Sequence, residues 1–227
     1  MPPTFEYASD QSLMVYLGDG VDIPTHRRVL KLLRLLEREP VPGVRNLHPA
    51  YCSILVVFDP LALDHAELEP ILAGYVERSD TGQAPDPRTV EIPVRYGGEY
   101  GPDLDEVAEI HAMTPERVIE LHSSATYVVY FLGFVPGFPY LGGLPDALAT
   151  PRLPSPRKRV PRGSVAIGGS HTGVYPFETP GGWRLIGRTP LDMFDAATGT
   201  SRLGMGDLVS FVPMNAATEP RPSRSGP

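Results

Sequence analysis

Apolar residues in the first ninety positions follow two different periods. Leu13–Leu17 is a short continuous run closed by Gly18-Asp19-Gly20, which reads as a strand ended by a turn. Val29, Leu32, Leu33 and Leu36 then recur at helical spacing and predict a helix from Pro24 to about Arg38, stopped by Pro40-Val41-Pro42-Gly43. Val44–His48 and Ser53–Phe58 are strand candidates, and the unbroken run from Ile54 to Phe58 reads as a buried central strand. Asp64 with Glu67 forms a capping box for a second helix, whose apolar face is Leu68, Ile71, Leu72, Tyr75 and Val76. A polar linker over 79–88 leads to a strand at Thr89–Tyr96. The order strand-helix-strand-strand-helix-strand predicts a ferredoxin-like unit, with two helices covering one face of an antiparallel sheet.

The pattern changes after that strand. Asp103 and Thr114-Pro115 begin two short helices, about 103–112 and 115–122, with Leu104, Val107, Ile110, Val118 and Leu121 as their core positions. Residues 126–132 form a strand. Beyond it, short strand candidates recur at 164–167, 173–175, 183–187 and 207–212 between Gly/Pro turns, which predicts a small β-barrel with a helical hairpin packed on it. The fold class is therefore α+β. Its divisions are an N-terminal βαββαβ domain over 1–88, a barrel domain over 89–215, and a mobile tail over 216–227 that lacks apolar anchors.

Composition narrows the function. Of 227 residues, 20 are basic and 27 acidic, so the net charge of −7 argues against a chain-wide nucleic-acid or anionic-membrane binder. The longest apolar run is far short of the ~18 residues that span a bilayer, and the N-terminus has no secretory pattern, so a cytoplasmic location is expected. The one cysteine, Cys52, forms no intrachain disulfide, and the six histidines show no metal-ligand spacing.

Residues 133–190 stand apart. They hold 11 glycines, 10 prolines, seven basic residues and two acidic ones, so this segment is +5 while the rest of the chain is −12. Rigid and permissive backbone with interleaved aromatics predicts a shaped, positively charged groove that suits a carboxylate, phosphate or nucleotide. Arg188, Arg184 and Arg162, with Thr172, Phe138, Tyr140 and the Gly181-Gly182 turn, are the candidate substrate- and anion-binding residues. For Arg188 the other reading is a salt bridge to Asp192 or Asp195. His171 is the candidate general acid or base. His122 is a second one, unless it merely closes its helix as a cation favoured by the helix dipole. Gly168-Gly169-Ser170-His171-Thr172 approaches a nucleophile elbow but has Thr172 in place of the last glycine, and no phosphate-binding G-x-x-x-x-G-K-[ST] loop occurs.

Long ordered blocks carry a resemblance over residues 90 to about 213. They are Arg95-Tyr96-Gly97-Gly98 with Gly101-Pro102-Asp103-Leu104, the run from Gly133 to Leu144, Pro151-Arg152-Leu153, Val160 to Val165, His171 to Pro176, and Pro180 to Pro190. Together they resemble the B subunit of 5-oxoprolinase, a family also called allophanate hydrolase subunit 1, Kip-type histidine kinase inhibitor, or carboxyltransferase subdomain C and D. The resemblance implies a cyclophilin-like barrel. It also implies two partners within 5-oxoprolinase: the C subunit, related to a biotin-dependent carboxyltransferase, and the A subunit, of lactam-utilisation type. That assembly uses ATP to open 5-oxo-L-proline to L-glutamate, and the isolated chain is expected to be inactive. No biotin-acceptor Met-Lys-Met occurs in this chain. Family members often carry Gln where this chain has His171, and Ala where it has Arg162. Two alternatives follow from the same resemblance: a component of a urea or allophanate carboxylase-hydrolase system, or a binding protein that inhibits a histidine kinase through anchors such as Phe134, Phe138 and Tyr140.

Overall fold

Two aspartates start the helices of the N-terminal unit. In the computed structural model, which describes residues 2–82 and 86–214, Asp22 accepts from the Thr25 N–H (2.7 Å) and Thr25 Oγ1 (2.9 Å) to begin α1 (Ile23–Arg38). Asp64 accepts from the Glu67 N–H, and Glu67 returns the bond to the Asp64 N–H, to begin α2 (His65–Thr81). The strands of this unit are β1 (Thr4–Ser9), β2 (Ser12–Tyr16), β3 (Val44–Pro49) and β4 (Ser53–Phe58), in the antiparallel order β1-β2-β4-β3. Ile54, Val56 and Phe58 are fully buried in the interior strand β4, and α1 packs on β3, β4 and α2.

The expected ferredoxin-like unit is not completed. Thr89–Tyr96 (β5) is a strand, but it pairs with strands of the second unit and leaves the N-terminal sheet. The sheet edge beside β2 is taken by β1, whose short alternation of Phe5 and Tyr7 with polar residues is not among the strand candidates above. Two physical terms favour this arrangement. A tight hairpin brings β1 onto β2 at small loop-closure cost, and β5 buries Ile92 and Val94 completely in the other core. The chain divides at Pro87/Arg88 into two compact units. α2 runs into the expected linker, and the tail over 216–227 lies outside the described residues.

The second unit adds α3 (Leu104–Ile110), α4 (Pro115–Ser124), β6 (Thr126–Leu132), β7 (Pro139–Gly142), β8 (Arg157–Val160), β9 (Ser164–Gly168), β10 (His171–Val174), β11 (Thr179–Gly181), β12 (Arg184–Arg188), β13 (Phe194–Asp195), β14 (Thr200–Ser201) and β15 (Leu208–Pro213). Seven of its strands close a barrel in the order β10-β7-β6-β15-β5-β12-β9. β15 runs parallel to β5, and the other neighbours are antiparallel. One face of these strands buries residues such as Val129, Leu141, Ile167, Ile186 and Phe211 with Val107 and Val118 of the two helices. Ile110, expected in that core, is 46% exposed instead, at the C-terminal end of α3.

The seam between β7 and β10 is narrow, with one registered pair, Thr172 with Leu141. His122 of α4 reinforces it. Its imidazole is fully buried among Tyr96 of β5, Tyr127 of β6, Phe211 of β15 and Thr172 of β10. Thr172 donates to the Ala166 carbonyl (3.0 Å), so its hydroxyl oxygen accepts from His122 Nε2 (2.9 Å). Nδ1 then accepts from Tyr96 (2.8 Å). Among the described residues no helix is long and apolar enough to cross a membrane.

Candidate functional site

The opposite face of the barrel strands carries a second, aromatic cluster. A bulge in β6 between Val129 and Phe131 places Phe131 directly across from Tyr140 of β7, and the rings stack at 4.5 Å. Tyr140 meets Trp183 edge-on at 5.9 Å, and Phe138 meets both. Trp183 lies across β9 and β10, and glycine at two positions makes room for it. A Cβ on Gly168 would come within 2.5 Å of the indole, and one on Gly173 within 3.2 Å. Phe134 stands at the rim of the cluster with φ +68°, 58% exposed.

Two polar groups face this aromatic shelf. His171 begins β10 and shares a strand face with Gly173, beneath Trp183. Its ring lies 6.3 Å from that of Tyr130, and its Nδ1 lies 3.3 Å from Ser170 Oγ. Arg152 sets its guanidinium 5.7 Å from the Trp183 ring centre. Burial, and secondarily the charge of Arg152, hold the His171 pKa below its ordinary value, so the imidazole is neutral at pH 7 and can accept a proton. Trp183 and Phe138 are themselves buried, so the face open to a ligand is the half-buried Phe131–Tyr140 stack, with a cationic fork and a weak base at the same cluster. That set suits a small planar anion needing proton transfer.

The expected single basic groove does not form. Arg157 pairs with Asp103 (2.5 Å), Arg159 with Glu178 (3.4 Å), Arg162 with Asp192, and Arg184 with Glu106. Three of those four acids lie outside residues 133–190, so an excess of charge local in sequence is compensated in space. Arg184 is buried, with Nε donating to the Pro151 carbonyl. Arg162 instead rims a separate open hollow of about 810 Å³, with Phe177, Phe194 and Arg202.

His171 and Arg188 do not share a site either. They sit opposite Gly168 and Ser164, the two ends of β9, a separation of about 13 Å at ~3.3 Å per residue. His122 and Thr172 lie inside the unit, on the other face from Trp183. Burial lowers the His122 pKa to about 3, so it is no helix-capping cation. Phe138 (2% exposed) and Tyr140 belong to the aromatic shelf, and Gly181 lets β11 pass close to it, since a Cβ there would meet Tyr175 Oη at 2.4 Å. Gly182 abuts Pro156, and its carbonyl accepts from the Leu153 N–H.

Of the expected site residues, the fold thus brings together His171, Phe138, Tyr140 and the Gly181-Gly182 turn. Sequence reasoning counted Arg152 among seven basic residues without singling it out, and it missed Tyr130 and Phe131. The run Tyr127-Val128-Val129-Tyr130-Phe131 held a usable signal: two consecutive aromatics break strand alternation, as at a bulge.

A closed barrel joined to a helix pair, with an aromatic shelf on its other face, places the chain among carboxyltransferase-type domains. Residues 3–203 match the family described as carboxyltransferase domain, subdomain C and D. The chain is 41% identical to the 5-oxoprolinase B subunit of Bacillus subtilis, over 91% of each chain. It is 45% identical to the same-named protein of Escherichia coli O157:H7, over 90% of this chain and 93% of the relative. The protein belongs to the family of 5-oxoprolinase B subunits. Among solved structures, TTHA0988 matches with a TM-score of 0.80 and 39% identity, covering 94% of this chain, which spans 42% of that longer one. The K. lactis urea amidolyase matches with a TM-score of 0.76 over 94% of this chain and 15% of its own length; at 21% identity this is a likeness of fold.

Proposed function

We propose that this chain is one subunit of a multi-component, ATP-dependent 5-oxoprolinase that opens 5-oxo-L-proline to L-glutamate, and that its contribution is the Arg152–His171 shelf. The observation that carries the reading is the match along nearly the whole length of both chains to proteins named as the B subunit of 5-oxoprolinase. The shelf suits the chemistry. The substrate carries one carboxylate, which the Arg152 fork would hold, and one flat lactam, which would lie against the half-buried Tyr140. Opening the ring adds the elements of water across the C–N bond, with hydroxyl to carbon and a proton to nitrogen. A neutral His171 can take a proton from the attacking water and return one to the departing nitrogen.

An unstrained amide is a poor electrophile, so the opening is coupled to ATP hydrolysis, with phosphoryl chemistry supplied by the assembly. The shelf is walled on one side, and an active site that excludes water needs a second wall. In this reading the C or the A subunit provides it. The test is reconstitution. The chain alone should release no glutamate from 5-oxoproline and ATP, and adding the A and C subunits should restore release. A fully assembled complex that leaves 5-oxoproline untouched would overturn the proposal.

A further inference from the structure

Behind the shelf, four strands of the barrel unit are tied to one imidazole on α4. The backbone carbonyl of His122 accepts from the Tyr127 hydroxyl of β6 (2.7 Å). Its Nδ1 accepts from Tyr96 of β5 (2.8 Å), and its Nε2 donates to Thr172 of β10 (2.9 Å). Thr172 continues the chain by donating to the Ala166 carbonyl of β9 (3.0 Å). His122 and Thr172 are both fully buried, so these bonds act at low local dielectric. An apolar side chain could fill the same space without the cost of desolvating an imidazole. What the polar chain adds is direction, since each bond holds only while the next strand stands in one place.

The strand with most to gain is β10. It meets β7 at one registered pair, Thr172 with Leu141, and two shelf residues are the immediate chain neighbours of that pair. His171 precedes Thr172 on β10, and Tyr140 precedes Leu141 on β7. Alternation along a strand puts Thr172 on the core face and His171 on the shelf face. Around the His171 ring stand Tyr130 of β6 (6.3 Å), Ser170 Oγ (3.3 Å from Nδ1) and the positive charge of Arg152. A slide or tilt of β10 at its single pair with β7 would change these spacings together.

We infer that His122 and Thr172 are positioning residues: the buried Tyr96–His122–Thr172 chain fixes β10 against β7 and thereby sets where the His171 imidazole stands relative to Arg152 and Tyr140. Both act from the face of the strands opposite the shelf, through the backbone that Thr172 shares with His171. The consequence for turnover rests on the proposed role of His171 as acid and base, whereas the positional claim stands without it. A misplacement of about 1 Å at a reacting group costs on the order of 100-fold in rate. Loss of the Thr172 hydroxyl, which loosens the strand without removing any group from the shelf, should therefore act on kcat more than on KM.

The test starts with NMR titration of the histidine side chains in the full chain, the His171 signal being identified by its loss in His171→Asn. In Thr172→Val, which removes the hydroxyl and keeps a branched side chain, the His171 midpoint should rise by about half a pH unit or more toward 6.5, because the ring loses burial and moves from the charge of Arg152. His122→Leu should do the same. Thr172→Ser and His122→Gln, which keep the hydrogen bonds, should leave the midpoint at the wild-type value. Thermal melts followed by Trp183 fluorescence establish folding, and the two disrupting variants serve as alternatives should one fail to fold. In the reconstituted complex Thr172→Val should lower kcat about tenfold with KM changed less than about threefold, and Thr172→Ser should restore kcat. A His171 midpoint that stays at the wild-type value in either folded disrupting variant overturns the inference. A complex that leaves 5-oxoproline untouched overturns the proposed function alone, since the titration is read on the chain by itself.

Discussion

Replacing His122 with glutamine should remove much of the acid sensitivity of the barrel unit. Burial holds this imidazole's pKa near 3, against an ordinary 6.5. The unfolded chain therefore takes up a proton near pH 6.5 that the folded chain refuses until about pH 3. The stability associated with the neutral ring is intact above pH 6.5 and is lost as the pH falls toward 3. The slope approaches about 1.4 kcal/mol per pH unit well inside that window and is half as steep at pH 6.5, so lowering the pH from 6.5 to 4.5 removes about 2 kcal/mol. That is a large part of the ~5–15 kcal/mol typical of a folded domain. Glutamine keeps a donor for Thr172 and an acceptor for Tyr96 but takes up no proton. Trp183 is the single tryptophan and belongs to the barrel unit, so urea titrations followed by its fluorescence report on this unit. Carboxylates titrate in both proteins and cancel in the difference. The stability of the wild-type chain minus that of His122→Gln should fall by about 2 kcal/mol across those two pH units. Parallel profiles would refute the neutral, proton-refusing imidazole.

In a reconstituted complex, Arg152→Gln should raise the KM for 5-oxoproline about tenfold or more; it should also shift the acid limb of the rate profile to higher pH, because removing the positive charge lets the His171 pKa rise. An unchanged KM would take Arg152 out of the substrate site. Gly142→Ala places a Cβ 1.8 Å from the Tyr130 ring and should destabilise by roughly 1–3 kcal/mol in denaturant titrations. Gly74→Ala in α2 meets nothing within 4 Å and should stabilise by about 0.5–1 kcal/mol by thermal melting. Asp103 is 4% exposed and accepts from Arg157 (2.5 Å) and the Leu185 N–H (2.6 Å), so Asp103→Asn should cost about 3 kcal/mol or more by Trp183 fluorescence.

Local chemistry is the part of this fold that can be read from the sequence. Asp64 with Glu67 and Thr114 with Pro115 mark their helix starts because a cap is settled within four residues. Unbroken apolar runs mark β4 and β6 for the same reason. Strand partnership is not local. β5 looks like the last strand of the first unit, yet it pairs with β15, more than a hundred residues later. β1 gives only a short signal, Phe5 and Tyr7 alternating with polar residues, and five of its six residues are exposed on a sheet edge. The site divides in the same way. His171, Phe138 and Tyr140 are chemically conspicuous in a Gly/Pro-rich segment. Which arginines are taken up in ion pairs depends on where Asp103, Glu106 and Asp192 arrive, and that is decided by folding.

The partnership of β5 with β15 constrains the order of events on the ribosome. The first strand of the barrel unit must wait for nearly the last to emerge before one of its two edges is covered. The N-terminal sheet, by contrast, has all its strands once Phe58 is made. During translation an unpaired edge containing Ile92 and Val94 therefore persists through about half of synthesis, a period in which binding to a chaperone would prevent misassociation. A premature stop before residue 208 would leave that edge permanently open, and the truncated product should aggregate rather than accumulate as a smaller soluble protein.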